Sequence, residues 1–178
     1  MKKIKVKRSE INTYQFFDVD DKLIYMLKRK PPKAMDDDTL AELYSSGAYR
    51  MGGFSGNENL QERFLLINED GTSVAELVND AFSNRPEASF VLADESEGKV
   101  SFRKKLFSGE LMCSYKDWKI ELCDHNIQIH SDAGLVAKMI YKDTFMYDEM
   151  VLLISQDEDL EGVLCTAIAI DMVREALD

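Results

Sequence analysis

The residues of this chain able to do chemistry stand in small groups, and spacing limits each group. Cys123-Asp124-His125 offers a thiol and an imidazole for nucleophilic or metal chemistry. On one strand face these two lie about 7 Å apart, too far for a thiolate–imidazole pair without side-chain bending. His130 falls on the opposite face of a continuous strand from His125. Zinc needs three or four ligands, so the local reading is a hairpin turning at Asp124-His125-Asn126. Asp36-Asp37-Asp38 and Asp157-Glu158-Asp159 resemble cation sites in charge alone, because the alternating ligands, the Gly and the closing Glu of a calcium loop are missing. Gly52-Gly53-Phe54-Ser55-Gly56-Asn57 lacks the Lys-Ser/Thr of a phosphate loop. Asp171 directly follows an uncharged run. It reads either as a perturbed acid in a site or as a carboxylate held by backbone N–H groups or a basic residue. Two basic clusters remain, Lys28-Arg29-Lys30 with Lys33, and Arg103-Lys104-Lys105. Neighbouring in space, they would hold anionic headgroups at about 1 kcal/mol per charge. No set of residues defines a catalytic centre, a metal site or a cofactor site, and the chain is expected not to be an enzyme.

The elements that must carry these residues are mostly strands. Lys3–Lys7 alternates Ile4 and Val6 against lysines, the pattern of a half-buried strand whose lysines suit a sheet edge. Thr13–Val19 and Lys22–Lys28 follow around a turn at Asp20-Asp21, and Pro31-Pro32 ends the third strand. Residues 31–60 read as an irregular insertion, with a short helix from Met35 to Tyr44 capped by an aspartate. Beyond residue 60 the spacing predicts strands over Arg63–Asn68, Ser73–Val78, Ser89–Ala93, Lys99–Leu106, Glu110–Ser114, Trp118–Leu122, Asn126–His130, Leu135–Tyr141 and Met150–Ser155. Asp70-Gly71 between two apolar runs marks a hairpin. Asp159–Leu177 then reads as one helix, capped by Ser155-x-x-Glu158 or a nearby Asp. From Gly162 to Ile170 it has no charge on any face. A helix resting on a surface would show a polar stripe, so this one must be surrounded.

Composition sets further bounds. The chain has 178 residues, 45% hydrophobic and 31% charged, which fits one globular domain over 1–178. Its net charge of −11 opposes nucleic-acid binding, which needs a cationic surface, and disfavours an anionic membrane. The charge is uneven: residues 1–33 hold ten Lys/Arg against four acids, a net +6, leaving −17 for the remainder. A basic N-terminal face follows, either paired with the acidic remainder, solvated, or open to an anion. The longest uncharged apolar run spans nine residues, far short of the ~20 a membrane helix needs. The basic N-terminus has no apolar segment behind it, so it does not read as a signal peptide. Cys113, Cys123 and Cys165 are an odd number with no Cys-x-x-Cys. A reducing, cytoplasmic setting is expected.

About a dozen short strands cannot lie open without exposing edges, and closure removes them. A closed barrel that wide cannot fill its interior with its own side chains, whereas an apolar helix can. The expected fold is therefore mainly β: a closed barrel of about twelve strands around a central hydrophobic C-terminal helix. Tyr115-Lys116-Asp117-Trp118-Lys119-Ile120-Glu121, Ile127–Ile140 with its Ser131-Asp132-Ala133-Gly134 turn, Asp143-Thr144-Phe145, Tyr147, Val151–Ile154 and Ala167-Ile168-Ala169-Ile170-Asp171 resemble the LURP-one-related family of the tubby-like superfamily. The resemblance is carried by residues 115–173 and by turn and core positions. It implies a twelve-stranded barrel around a central helix and no enzymatic activity. Relatives in the superfamily bind phosphoinositides or are linked to membranes, but their binding residues have no positional match in this chain. The functional expectation is a soluble, non-enzymatic domain that binds a protein partner or small ligand at the barrel mouth or through residues 31–60. The alternative is a peripheral membrane module whose basic N-terminal face binds anionic phospholipid.

Overall fold

In the computed structural model, residues 1–8, 13–30, 61–80, 85–104, 109–124, 126–142, 149–155 and 159–177 are described. They form twelve strands and one helix: β1 (Lys2–Arg8), β2 (Tyr14–Phe17), β3 (Leu23–Arg29), β4 (Glu62–Asn68), β5 (Ser73–Asp80), β6 (Glu87–Leu92), β7 (Glu97–Lys104), β8 (Gly109–Cys113), β9 (Lys119–Cys123), β10 (Asn126–Ser131), β11 (Gly134–Lys142), β12 (Glu149–Ile154) and α1 (Leu160–Glu175). The strand assignments from sequence agree to within a residue or two. The Met35–Tyr44 helix and the Gly52–Asn57 loop lie outside the described residues.

A single antiparallel ladder runs β8-β7-β6-β5-β4-β3-β2-β1-β12-β11-β10-β9. It curls until β8 and β9 lie side by side, joined by residues 114–118. Among the described residues no ladder joins those two strands, so the barrel is nearly closed rather than hydrogen-bonded all the way round. β1 is not an edge strand, contrary to the reading of its lysines. It pairs with β12 on one side (Lys5 opposite Val151) and β2 on the other (Lys5 opposite Phe17). Its lysines project outward from the middle of the ladder, while Ile4 and Val6 are buried inside.

Local chemistry sets the turns. The Asn68 side chain accepts hydrogen bonds from the backbone N–H of Asp70 and Thr72, at 3.1 and 2.9 Å, and Gly71 takes a φ of +81° that costs a glycine nothing. Asp18 does the same for Asp20 and Lys22, both at 2.9 Å. Register shifts at Phe16/Phe17, Leu66/Ile67 and Ile129/His130 supply the bends that curl the sheet.

α1 occupies the interior, as the missing polar stripe requires. Its residues Gly162 through Val173 are all buried, and it packs against β5, β6 and β7, with a lighter contact to β11. Phe64, Leu77, Phe90, Val100 and Met139 close around it. The helix begins at an Asp159 cap, whose carboxylate accepts from the Gly162 N–H at 3.0 Å. That is the nearby aspartate of the sequence reading rather than the Ser155–Glu158 box. Cys165 is buried within the helix and Trp118 in the core.

Two substitutions probe this enclosure. Ile168 has no exposed surface, so Ile168→Asp places an unpaired charge in the core, and circular dichroism should show an unfolded chain. Thr166 is also fully buried, and its hydroxyl has no hydrogen-bond partner among the described residues. Thr166→Val keeps the shape and removes that unmet group, so chemical denaturation should show a gain of about 1 kcal/mol.

Candidate binding site at the barrel mouth

α1 is fastened to the barrel at both ends by aspartate–tyrosine pairs. At its N-terminal end the Tyr115 hydroxyl donates to the Asp159 carboxylate, and Lys116 lies 3.3 Å from the same oxygen. Burial opposes the charge on Asp159, but the Tyr115 hydroxyl, the Gly162 N–H and Lys116 outweigh it and hold its pKa below the usual carboxylate value. Burial, then Asp159 itself, pushes the Tyr115 phenol up. Gly162 makes the fit possible: a Cβ there would lie 2.6 Å from both Asp159 and the Tyr115 ring. Two residues past Asp159, Glu161 accepts from Tyr25 at 3.3 Å, and burial with the Glu161 charge pushes the Tyr25 phenol up to about 12.

At the C-terminal end the residues converge on a recess. Asp171, one of the few buried charged side chains, accepts from the Tyr14 hydroxyl at 2.7 Å and the Tyr141 hydroxyl at 3.0 Å. Neither partner is a backbone N–H or a basic group, as the sequence reading had proposed. Tyr14 opens β2 and Tyr141 stands one residue before the end of β11, so both hydroxyls reach inward at the mouth where α1 finishes. Arg8, the last residue of β1, forms an ion pair with Glu175 and lies 5.8 Å from the centre of the Tyr14 ring. Burial works against the Arg8 charge, but Glu175, Tyr14 and Asp171 outweigh it and leave its pKa raised. The Arg174 guanidinium stacks 4.6 Å from the centre of the Tyr141 ring. These six side chains, with Val6 and Met150, line a cavity of about 200 Å³. Burial, then the Asp171 charge, raises the pKa of both phenols; Arg174 partly offsets the effect at Tyr141.

Of this cluster, sequence reasoning singled out Asp171 alone. The available signal was the helical spacing of Asp171, Arg174 and Glu175, three and four residues apart and hence on one face. Tyr14, Tyr141 and Arg8 come from distant strands and gave no such signal.

Among the described residues, the two basic clusters are not brought together. Alternation along β3 splits the first. Arg29 stands opposite inward-facing Phe64 and pairs with Glu62 at 2.9 Å on the inner rim. Lys28 is exposed on the outer face, opposite Leu65. Lys30 pairs with Glu76 at 2.7 Å, which Arg63 also approaches at 3.3 Å; the Lys30 contact holds Glu76 below its usual pKa. Arg103 and Lys104 lie on β7, four strand spacings from β3, about 19 Å along the sheet. Lys33, Lys105, His125, Asp36-Asp37-Asp38, Asp157 and Glu158 lie outside the described residues. A different set of cations shares a face: Lys3, Lys5 and Lys7 on β1, and Lys138 and Lys142 on β11, flank Leu153, Val151 and Glu149 of β12. Lys5 pairs with Asp21 at 2.5 Å and Lys142 with Glu149 at 3.7 Å. Among the described residues, no three His, Cys, Asp or Glu side chains converge as metal ligands, and no helix is long and apolar enough to cross a membrane.

A twelve-stranded antiparallel barrel with a helix through its centre defines the structural class. No family model matches the chain, and no curated protein does. Among solved structures, the X-ray structure of a protein from Arabidopsis thaliana shares this fold, with a TM-score of 0.56 and 13% identity over 97% of this chain and 92% of that one.

The Asp171 cluster predicts an alkaline signature. The fold keeps both phenols protonated above their ordinary value of 10.0. Their contribution to stability is therefore complete below pH 10 and is lost as pH rises beyond it. Tyr14→Phe leaves Asp171 one donor short, so urea unfolding at pH 7 should show a loss of about 1–3 kcal/mol, and the decline in stability above pH 10 should be shallower than in the parent protein.

Proposed function

We propose that this chain is a non-enzymatic binding domain of the LURP-one-related type, which takes a small ligand or a short segment of a protein partner at the mouth beside the end of α1. The family placement is supported by the residue likeness over 115–173 together with the shared barrel-and-helix fold. The observation that carries the binding reading is the recess itself. A buried carboxylate and two arginines are held in fixed positions around an accessible cavity, although two apolar plugs would close the barrel at lower desolvation cost. Polar groups converging on a concavity are the usual mark of a binding site. Screening soluble metabolites and short peptides by nuclear magnetic resonance tests this. Ligands should shift the amides of Arg8, Tyr14, Tyr141 and Asp171 to Glu175 together. Shifts confined to another face, or none at all, would defeat the reading.

The second reading, docking on anionic phospholipid, is favoured by the lysine face of β1 and β11 rather than by the clusters at 28–33 and 103–105. Five lysines against two acids give that face a local net charge of +3. The acids elsewhere on the barrel act on a membrane only within a Debye length of about 8 Å. Changing Lys3, Lys7 and Lys138 to Glu should abolish salt-sensitive sedimentation with phosphatidylserine vesicles. Sedimentation unaffected by those changes would reject this face as the membrane contact.

A further inference from the structure

We propose that the recess at the end of α1 binds a small oxyanion, a carboxylate or a phosphate monoester, on the Arg174 guanidinium. The inference rests on the binding-domain reading and assigns its ligand class. The four charged groups at the mouth differ in how they are satisfied. Asp171 receives one tyrosine hydroxyl on each oxygen. Arg8 and Glu175 neutralise one another. Arg174 alone of the four has no carboxylate partner among the described residues, and it is held in place by stacking on Tyr141. Tyr141 also takes a hydrogen bond from this guanidinium, which leaves the remaining N–H donors of the fork for a ligand, and such a fork matches the paired oxygens of carboxylate and phosphate. Asp171 lies three residues away on the same helix, but each of its oxygens is turned to a tyrosine hydroxyl, of Tyr14 or Tyr141. That arrangement leaves the Asp171 charge in place but gives Arg174 no direct ion-pair partner at the cavity wall among the described residues.

Size narrows the class. A cavity of about 200 Å³ holds some six or seven waters at about 30 Å³ each, and it falls below the usual range for drug-sized ligands, about 300–1,000 Å³. A phosphate group or a short dicarboxylate fits whole. A larger molecule would enter by its anionic end. Two carboxylates on the wall, Asp171 and Glu175, disfavour polyanions, so the ligand carries one or two negative charges at most.

Titration with inorganic phosphate and with malonate, followed by nuclear magnetic resonance and calorimetry, tests the assignment. Saturable binding is expected, with the largest shifts at the Arg174 side chain and the Tyr141 ring. Arg174→Gln should weaken it about tenfold or more, the loss of a paired charge-assisted contact. Arg174→Lys should recover part of the affinity, keeping the charge without the fork, and Arg103→Gln should leave it unchanged. Should Arg174→Gln fail to fold, the shift map of the parent protein decides. Absence of saturable binding by either anion, or binding indifferent to Arg174, overturns the proposal. If neutral or cationic ligands shift the mouth amides while both anions do not, the oxyanion assignment falls and the binding-domain reading stands. If nothing shifts those amides, both fall. Phosphatidic acid vesicles separate sources: binding lost in Arg174→Gln places a lipid headgroup in the recess, whereas response to the free anions alone identifies a soluble ligand.

Discussion

Mutual enclosure is the constraint on which this molecule depends. Twelve strands wrapped into a barrel leave an interior that their own side chains cannot fill, and between its ends α1 has no face suited to water. Each element removes the other's defect, because burying apolar surface on both sides of one contact is favourable twice over. Twelve consecutive buried residues from Gly162 to Val173 express that bargain in sequence. Packing of this kind fixes the helix laterally but leaves its rotation and axial position to be set at its ends. Asp159 with Tyr115 and Asp171 with Tyr14 and Tyr141 set them, since hydrogen bonds to charged groups demand particular geometry where apolar contacts tolerate sliding.

The binding recess grows out of the second fastening. Holding the end of α1 by a buried carboxylate obliges the strands to supply donors there, and β2 and β11 do so with tyrosines. The residues one turn later, Arg174 and Glu175, then fall at the cavity wall. Structural and binding roles are thus separated by a single helical turn. The tyrosines serve position, and Arg174, standing on one of them, is left to face outward.

Much of the fold was legible because local chemistry wrote it. Alternation of Ile4 and Val6 with lysines, Asp70-Gly71 at a hairpin, and the uncharged run from Gly162 to Ile170 each report a local requirement, and each led to the right element. What failed to show was pairing at a distance. The lysines of β1 look like edge lysines until β12 is seen beside them, since an outward position on an inner strand carries the same residues as an edge. Lys28-Arg29-Lys30 looks like one cluster in a string and divides between two faces on a strand. The partners of Asp171 stand 157 and 30 residues away, where no spacing rule reaches, so its burial could be inferred and its tyrosines could not. The lack of a ladder between β8 and β9 was equally invisible, for two consecutive strands with a short connection ordinarily form a hairpin.

The order of elements along the chain carries one more consequence, for biosynthesis. β1 waits for β12 to complete its pairing, and the twelve described strands all precede in the chain the helix that fills them. Strands that pair before α1 is available therefore leave their apolar inner faces without the surface that covers them. Contacts so far apart in sequence make for slow folding, and exposed apolar surface during that interval is what chaperones recognise.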